Sequence, residues 1–176
     1  PCMSETLYCR NNDQSVPPDM QRESPPRLRP IQSVDVLDCF YLYNAVTPMT
    51  VRSSYGMTLE QWRDANDHPS GSVSELVYES EKGIRGWVRI STQTSQVYFD
   101  LVVHPDEIKE MFPLVQSTLE STGAHMGQYC IAPSYALSLR STLERCGFSS
   151  REEFKVWAKS MTVRVKIPGL ASVAIS

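Results

Sequence analysis

The chain has 176 residues and a formal net charge of −3, with 17 basic residues against 20 acidic ones. This balance argues against a nucleic-acid partner, which clustered lysine and arginine would attract. Hydrophobic residues make up 41% of the chain, enough for a buried core, but no apolar run is long enough to cross a membrane and no signal peptide is recognisable. We therefore expect one cytoplasmic domain with a leader and no membrane partner.

Residues 1–26 are interpreted as a leader and linker. Residues 11–26 are polar, contain four prolines and lack a hydrophobic period, so we expect neither helix nor sheet there. Residues 5–10 could form one short strand. Because residues 4–8 resemble residues 151–157, a further hypothesis is that residues 1–10 are the last strand of an upstream, similar domain.

The domain proper is expected at residues 27–168. It opens with a strand at 27–31, followed by a helix that Ser33 or Asp35 could cap and that ends at Thr47-Pro48. Thr58, with Gln61 three residues later, predicts a capping box for a second helix. Three strands with short turns between them then predict an antiparallel meander; they lie at residues 75–80, 84–92 and 96–103.

After Val103 the connections lengthen. A helix is predicted up to residue 122, with a short turn at 106–112 before its main part at Pro113. A strand at 125–131 follows, and the long crossover predicts that it lies parallel to the strand at 96–103. The remaining predicted elements are a helix at 134–146, strands at 154–158 and 161–167, and a tail at 169–176.

The cysteines and histidines predict no metal site. The five cysteines form no C-x-x-C pair, and the three histidines show no ligand spacing with them. The plainer interpretation is that the cysteines are small buried side chains in a reducing compartment.

Two local motifs and the order of the elements carry a family resemblance. The motifs are Val102-Val103-His104-Pro105 and Leu143-Glu144-Arg145-Cys146-Gly147-Phe148, within an order β-α-α-β-β-β-α-β-α-β-β. Together they resemble the GNAT superfamily of N-acetyltransferases. The resemblance implies an α/β (α+β) fold with a mixed, mostly antiparallel sheet flanked by helices. It also implies acetyl-CoA as co-substrate and a small-molecule or peptide amine as acceptor.

The chain departs from the family at the phosphate-binding loop. The family carries glycines there, so that bare backbone N–H groups at a helix start bind the pyrophosphate. Residues 103–110 contain no glycine, Pro105 removes one N–H, and Asp106 and Glu107 add negative charge. The family's frequent asparagine and tyrosine of the next helix fall on Ala136 and Leu143. We therefore expect weak or absent acetyl-CoA binding.

Several residues remain candidates for a site. Asp100 and His104 are the possible general bases, although an outward-facing Asp100 and a partly exposed His104 are the plainer interpretations. If the chain is an acyltransferase, we expect strand backbone to bind CoA where parallel strands separate, and side chains such as Lys109 or Arg140 to bind the phosphates in place of the glycine loop. The candidate cofactor-binding residues are Leu101, Val102, Val103, Lys109 and Arg140.

Two functions stay open at this point. One is an acetyltransferase that acts on an amine. The other is a non-catalytic GNAT-like structural or ligand-binding domain within a larger multidomain protein. Aromatic residues such as Tyr43, Trp62 and Trp87 could line a substrate cleft, although core positions are the plainer explanation.

Overall fold

A computed structural model describes residues 2–11, 27–55, 57–66, 72–122 and 127–157. The strands are β1 (Met3–Arg10), β2 (Leu28–Pro30), β3 (Ser72–Ser80), β4 (Gly83–Gln93), β5 (Gln96–Val103), β6 (Gly127–Pro133) and β7 (Ser149–Val156). The helices are α1 (Val36–Val46), α2 (Met49–Tyr55), α3 (Leu59–Asn66), α4 (Met111–Ser121) and α5 (Leu137–Arg145). Short 3-10 helices lie at Ser33–Asp35 and Pro105–Glu110. The linker expected up to residue 26, the strand at 161–167 and the tail from 169 fall outside the described residues.

The described strands form one seven-stranded sheet in the order β2-β3-β4-β5-β6-β1-β7. Every neighbouring pair is antiparallel except β5 and β6, which are parallel. The predicted meander is β3-β4-β5, and the predicted parallel neighbours are β5 and β6. Both are confirmed, as is the mixed, mostly antiparallel sheet flanked by helices.

Strand β1 lies inside the sheet although it comes first in the sequence. It pairs with β6 on one side and with β7 on the other, and Tyr8 opposes Cys130 and Ser150. Tyr8 is only 1% exposed, so this strand contributes to the core. Residues 3–10 are thus integrated into the same sheet as the later strands. Their origin as the end of an upstream domain stays a prediction.

Local chemistry explains several element boundaries. The predicted capping box is confirmed: the Thr58 N–H donates to Gln61 Oε1 at 3.0 Å and the Gln61 N–H to Thr58 Oγ1 at 3.2 Å. Gly83 closes the β3–β4 hairpin with φ +90°, a conformation that favours glycine. Asp35 precedes α1, but its side chain makes no capping hydrogen bond to that helix. Its carboxylate instead accepts from the Gln32 N–H and pairs with Arg29.

Several boundaries differ from the sequence prediction; among them, β3 begins at Ser72 and α5 at Leu137. Helix α2 follows Thr47-Pro48, where only a connection was expected. Helix α4 begins at Met111, two residues before the predicted start, and Pro113 lies in its first turn, as predicted, where a missing N–H is tolerated. Strand β7 begins at Ser149, five residues before the predicted start. The prediction missed these first residues because they are polar and exposed and show no hydrophobic alternation.

Helices cover both faces of the sheet. Val88, fully buried, belongs to a core shared with Leu114 and Val115 of α4 and Leu143 of α5. Its neighbour Trp87 points to the opposite face, where a second cluster forms with α1 and α3. The buried members of that second cluster are Cys39, Leu42, Trp62, Val77, Ile84 and Trp87.

Candidate functional site

The two parallel strands separate part of the way along their length. Their paired register runs from Gln96–Gly127 to Phe99–Cys130 and ends there. Both strands continue, β5 to Val103 and β6 to Pro133. The last residues of β5 stay paired with β4 on the other side, so it is the β5–β6 edge that opens.

The opening exposes strand backbone to a ligand. The His104 N–H donates to the Arg85 carbonyl at 2.8 Å, in continuation of the β4–β5 pairing. Backbone groups of alternate strand residues point to opposite neighbours, so those of Leu101 and Val103 point toward β6, into the opening. Of the three predicted backbone positions, Leu101 and Val102 are among the residues that line the cavity described next. The side chains of Leu101 and Val103 are buried in the core with α4 and α5.

A cavity of about 380 Å³ occupies this opening. It is bounded by the end of α1, by α3, by β1 and by the segment that leads into α5. The residues that line it are Glu5, Tyr43, Val46, Thr47, Met57, Trp62, Trp87, Asp100, Leu101, Val102, Ile131, Pro133, Tyr135 and Ala136.

Two carboxyl groups belong to this cavity. Burial, together with the negative charge of Asp100, raises the pKa of Glu5 above its ordinary value. Asp100 lies on β5, and its side chain is largely exposed at the mouth of the cavity. A carboxyl group whose pKa is raised toward neutrality is suited to accept and release a proton.

Two phenols lie beside these carboxyl groups. Burial raises the pKa of Tyr135, the charge of Glu5 adds to the increase, and a hydrogen bond with Thr47 opposes it. Burial likewise raises the pKa of Tyr43. Both groups therefore keep their protons at neutral pH and can donate hydrogen bonds.

Two indole rings form the apolar wall of the cavity. The Trp62 and Trp87 ring centroids lie 5.8 Å apart, and the Tyr43 ring lies 6.2 Å from Trp62. Trp87 is 7% exposed, and its buried Nε1 atom has no hydrogen-bond partner. A buried donor without a partner is uncommon in folded proteins, and leaving it unpaired costs stability.

The structure separates the two predicted general bases. Asp100 faces the cavity, whereas His104 lines a different surface groove with Asp38, Lys82 and Arg85. His104 Nδ1 accepts a hydrogen bond from the Asp106 N–H at 3.2 Å. The histidine thus acts as the cap of the following 3-10 helix, and its geometry favours this structural role over proton transfer in the cavity.

Three backbone N–H groups are already bonded in the segment that the resemblance places at the phosphate loop. The Asp106 N–H donates to the His104 side chain, and the Glu107 N–H donates to the His104 carbonyl at 2.9 Å. The Met111 N–H, at the start of α4, donates to the carbonyl of Ile108. These residues do not fit a pyrophosphate bound by backbone N–H groups.

The two basic side chains predicted to bind phosphate also lie apart. Lys109 is exposed beside a groove of about 480 Å³ between α4 and α5. Arg140 instead donates from Nε to the Tyr8 hydroxyl at 3.2 Å. The second cation of the Lys109 groove is Arg145, whose guanidinium carbon lies 5.0 Å from the Phe112 ring centroid. The sequence analysis did not propose Arg145 as a second cation near Lys109, although its position on the predicted helix could have indicated it.

Glu5 and Tyr135 were also missed as site residues. Glu5 lies on a strand whose partners are more than a hundred residues away in sequence, so local patterns carry no signal for it. Tyr135 lies just before α5, at the opposite end of that helix from Leu143, and it is among the residues that line the cavity.

Neither a metal cluster nor a membrane segment is evident in the described parts of the chain. Within those ranges there is no group of three or more histidine, cysteine, aspartate or glutamate side chains that could hold a metal ion. The helices in the same ranges are too short or too polar to cross a bilayer.

Comparison of the sequence with models of protein families and with curated proteins gives no match. Comparison of the structure does give matches. A functionally unknown conserved protein from Staphylococcus epidermidis ATCC 12228 aligns with a TM-score of 0.62 at 12% identity, over 86% of this chain and 59% of that one. A GCN5-related N-acetyltransferase from Sphaerobacter thermophilus aligns with a TM-score of 0.57 at 11% identity, over 86% and 49%.

A third match is a GNAT-family acetyltransferase from Colwellia psychrerythraea, with a TM-score of 0.53 at 12% identity, over 84% of this chain and 53% of that one. The chain therefore spans between about half and three fifths of the length of these three structures. At such low identity the likeness concerns the fold, which is GNAT-like, as the sequence resemblance implied.

Proposed function

We propose that this domain transfers an acyl group, in the simplest case acetyl, from a CoA thioester to an amine. The observation that carries the proposal is the separation of β5 from β6 beyond Phe99 and Cys130, with a cavity in the opening. Backbone groups of Leu101 and Val103 lie free of strand pairing on that side and could hold the amide-containing arm of the thioester. The GNAT-like fold supports the same placement.

The chemistry requires the loss of two protons from the amine and the protonation of the leaving thiolate. The acceptor ammonium first loses a proton, and its nitrogen then attacks the thioester carbonyl carbon. As the C–N bond forms, the C–S bond breaks, the second amine proton is released, and the CoA thiolate takes up a proton. Glu5 is the carboxyl group suited to accept a proton, since its pKa is raised. Tyr135 is a protonated phenol at the same cavity, suited to donate one.

Binding of the CoA nucleotide is the weak part of this site. The N–H groups of Asp106 and Glu107 are occupied, and the negative charges of their side chains oppose phosphate there. The remaining favourable charges are Lys109 and Arg145 at the α4–α5 groove. We therefore expect acetyl-CoA to bind this chain weakly.

Titration calorimetry combined with an assay of thiol release tests the proposal. We expect heat from acetyl-CoA only near millimolar concentration, and release of the CoA thiol that depends on added amine. Ile131→Trp, which fills the cavity, should abolish amine-dependent release. Leu137→Trp is the matched control, because Leu137 is 69% exposed and lies outside the cavity lining.

The second candidate is a non-catalytic GNAT-like domain that supports a catalytic domain elsewhere in a longer chain, such as an upstream similar domain. The occupied N–H groups at His104–Met111 favour it, because they remove the usual phosphate site. Absence of heat at millimolar acetyl-CoA, together with absence of thiol release, would support this candidate and exclude acyl transfer by this chain alone.

A further inference from the structure

A groove of about 340 Å³ lies where α1 passes the β3–β4 hairpin and the end of β5. We call it the α1 groove. It shares no lining residue with the cavity between β5 and β6, so it is a separate feature of the surface. The polar side chains that line it are Asp38, Tyr41, Lys82, Arg85 and His104.

A β-bulge sets the position of Arg85 at this groove. The register between β3 and β4 shifts beside it, so that Arg85 has no partner residue on β3. On the other side, its carbonyl accepts a hydrogen bond from the His104 N–H at 2.8 Å, which extends the pairing of Gly86 with Val103. The side chains of Arg85 and His104 therefore start from directly opposite positions, about 5 Å apart at Cβ.

The guanidinium of Arg85 is half-buried and unpaired. Within the described ranges nothing accepts a hydrogen bond from its side chain, and its Nε is buried without a partner. Its two terminal nitrogens are not buried, so these are the atoms that a ligand in the groove can reach. A cation that has lost part of its hydration without gaining a partner is stabilised by an anion placed beside it.

Two further donors line the same groove. Lys82, in the exposed hairpin turn, forms no ion pair with a carboxylate of the described residues. His104 Nδ1 accepts from the Asp106 N–H at 3.2 Å, so in the neutral ring the proton is on Nε2, which can donate. Against these donors stands one carboxylate of the lining, Asp38, and the balance of charge favours an anion.

The donor set favours phosphate over a carboxylate. A phosphate group is compact, carries up to two negative charges and offers three or more acceptor oxygens, so it can accept from guanidinium, ammonium and imidazole together. Tyr41, Leu42 and Ala45 of α1 supply an apolar wall for the remainder of such a ligand. The volume is at the lower end of the usual range for ligand sites, which favours a small molecule.

We infer that the α1 groove binds the phosphate group of a small organic phosphate, held by Arg85, Lys82 and His104. The inference goes beyond the proposed function and does not depend on it. It concerns binding alone and requires neither acetyl-CoA nor an amine.

A matched pair of probes tests the inference on the full chain. Phenyl phosphate carries the ring and the phosphate, and phenol carries the ring alone. In a heteronuclear NMR titration at neutral pH and constant ionic strength, we expect phenyl phosphate to shift the amide signals of Gly83, Arg85 and His104 in a saturable way, with a Kd of millimolar order. Phenol should leave these signals unchanged.

Variants of opposite sign then locate the effect. Arg85→Gln and Lys82→Gln should each weaken binding of phenyl phosphate several-fold, because each removes a positive charge from the groove. Asp38→Asn should strengthen it several-fold, because it removes the opposing carboxylate. Lys155→Gln, at an exposed position of β7 and outside the groove, should change nothing and controls for the net charge of the protein.

Displacement of phenyl phosphate by acetyl-CoA distinguishes two sources of the phosphate. Competition at these signals would identify the CoA nucleotide as a ligand of the groove, and its absence would leave a separate organic phosphate; either result supports the inference. Equal shifts with phenol, no saturation by about 20 mM phenyl phosphate, an equal loss in Lys155→Gln, or an Asp38→Asn variant that binds no more tightly would overturn it. Lys82 lies in an exposed turn, so Lys82→Gln keeps the test valid if Arg85→Gln fails to fold.

Discussion

Glu5 is a carboxylic acid in surroundings that disfavour its ionised form. Its partial burial and the charge of Asp100 raise its pKa above the ordinary value of 4.5. The charge of Glu5 in turn contributes to the raised pKa of Tyr135. In the unfolded chain Glu5 ionises at the lower pH, so the native state binds more protons in the interval between the two pKa values. The free energy of unfolding therefore falls as the pH rises through that interval.

We expect Glu5→Gln to remove this dependence. The variant should equal the wild type near pH 4 and become relatively more stable as the pH rises from 4.5 toward neutrality. Urea denaturation of both proteins across this range measures the difference. A difference that stays constant with pH, or a variant that loses stability relative to wild type as the pH rises, would contradict the assignment.

Gly86 marks a position where the sheet has no room for a side chain. A Cβ atom there would lie 3.0 Å from the Tyr78 Cβ and 3.4 Å from a Leu114 methyl group. We expect Gly86→Ala to destabilise the protein by about 1–3 kcal/mol, the usual cost of overpacking. Urea denaturation measures the loss, and Ser74→Ala, at an exposed position of β3, is the control for alanine in the same sheet. Unchanged stability of Gly86→Ala would show that the two strands can move apart at little cost.

At the scale of elements, the start of the 3-10 helix Pro105–Glu110 carries the features that oppose phosphate binding. The N–H groups of Asp106 and Glu107 donate to His104, and the side chains of the same two residues place negative charge in the first turn. Acidic residues stabilise a helix start because they oppose the positive end of the backbone dipole. The same arrangement occupies the Asp106 and Glu107 N–H groups and places negative charge at the helix start, which opposes a phosphate there.

We expect replacement of Pro105, Asp106 and Glu107 by glycine to raise affinity for acetyl-CoA. Removing two carboxylates near a phosphate is worth on the order of 1 kcal/mol each at surface dielectric, which corresponds to roughly a tenfold or greater gain. Calorimetry with acetyl-CoA measures it, and Asp106→Asn with Glu107→Gln separates the charge from the backbone contribution. Tight binding by the unmodified chain, with phosphates at this helix start, would disprove this account of the site.

The elements that sequence patterns predicted well are those whose partners are near in sequence. The meander follows from short turns such as the one at Gly83, and the parallel pair follows from the long crossover through α4. The position of β1 could not be predicted in this way, because its pairing with β6 and β7 joins residues more than a hundred positions apart. Asp100 could therefore be proposed from its own strand, whereas its neighbour Glu5 could not.

At the scale of the whole molecule, β1 links the site to the integrity of the sheet. It fills the place between β6 and β7, buries Tyr8 and supplies Glu5 to the cavity. The Tyr8 hydroxyl also receives a hydrogen bond from Arg140 of α5. Among the described strands, β7 pairs with β1 alone, so its place in the sheet depends on this segment.

We therefore expect deletion of residues 1–11 to prevent cooperative folding, and a synthetic peptide of residues 1–11 to restore it. The peptide would recover strand pairing on both of its sides and the burial of Tyr8, whereas a peptide with Tyr8→Glu would place a charge in the core and should not restore folding. Circular dichroism with and without peptide measures folding, and heteronuclear NMR shows whether the spectrum of the intact chain returns. Cooperative unfolding of the truncated chain without peptide would mean that another segment can take the place of β1. In that case the contribution of Glu5 to the cavity would not be a fixed property of the fold.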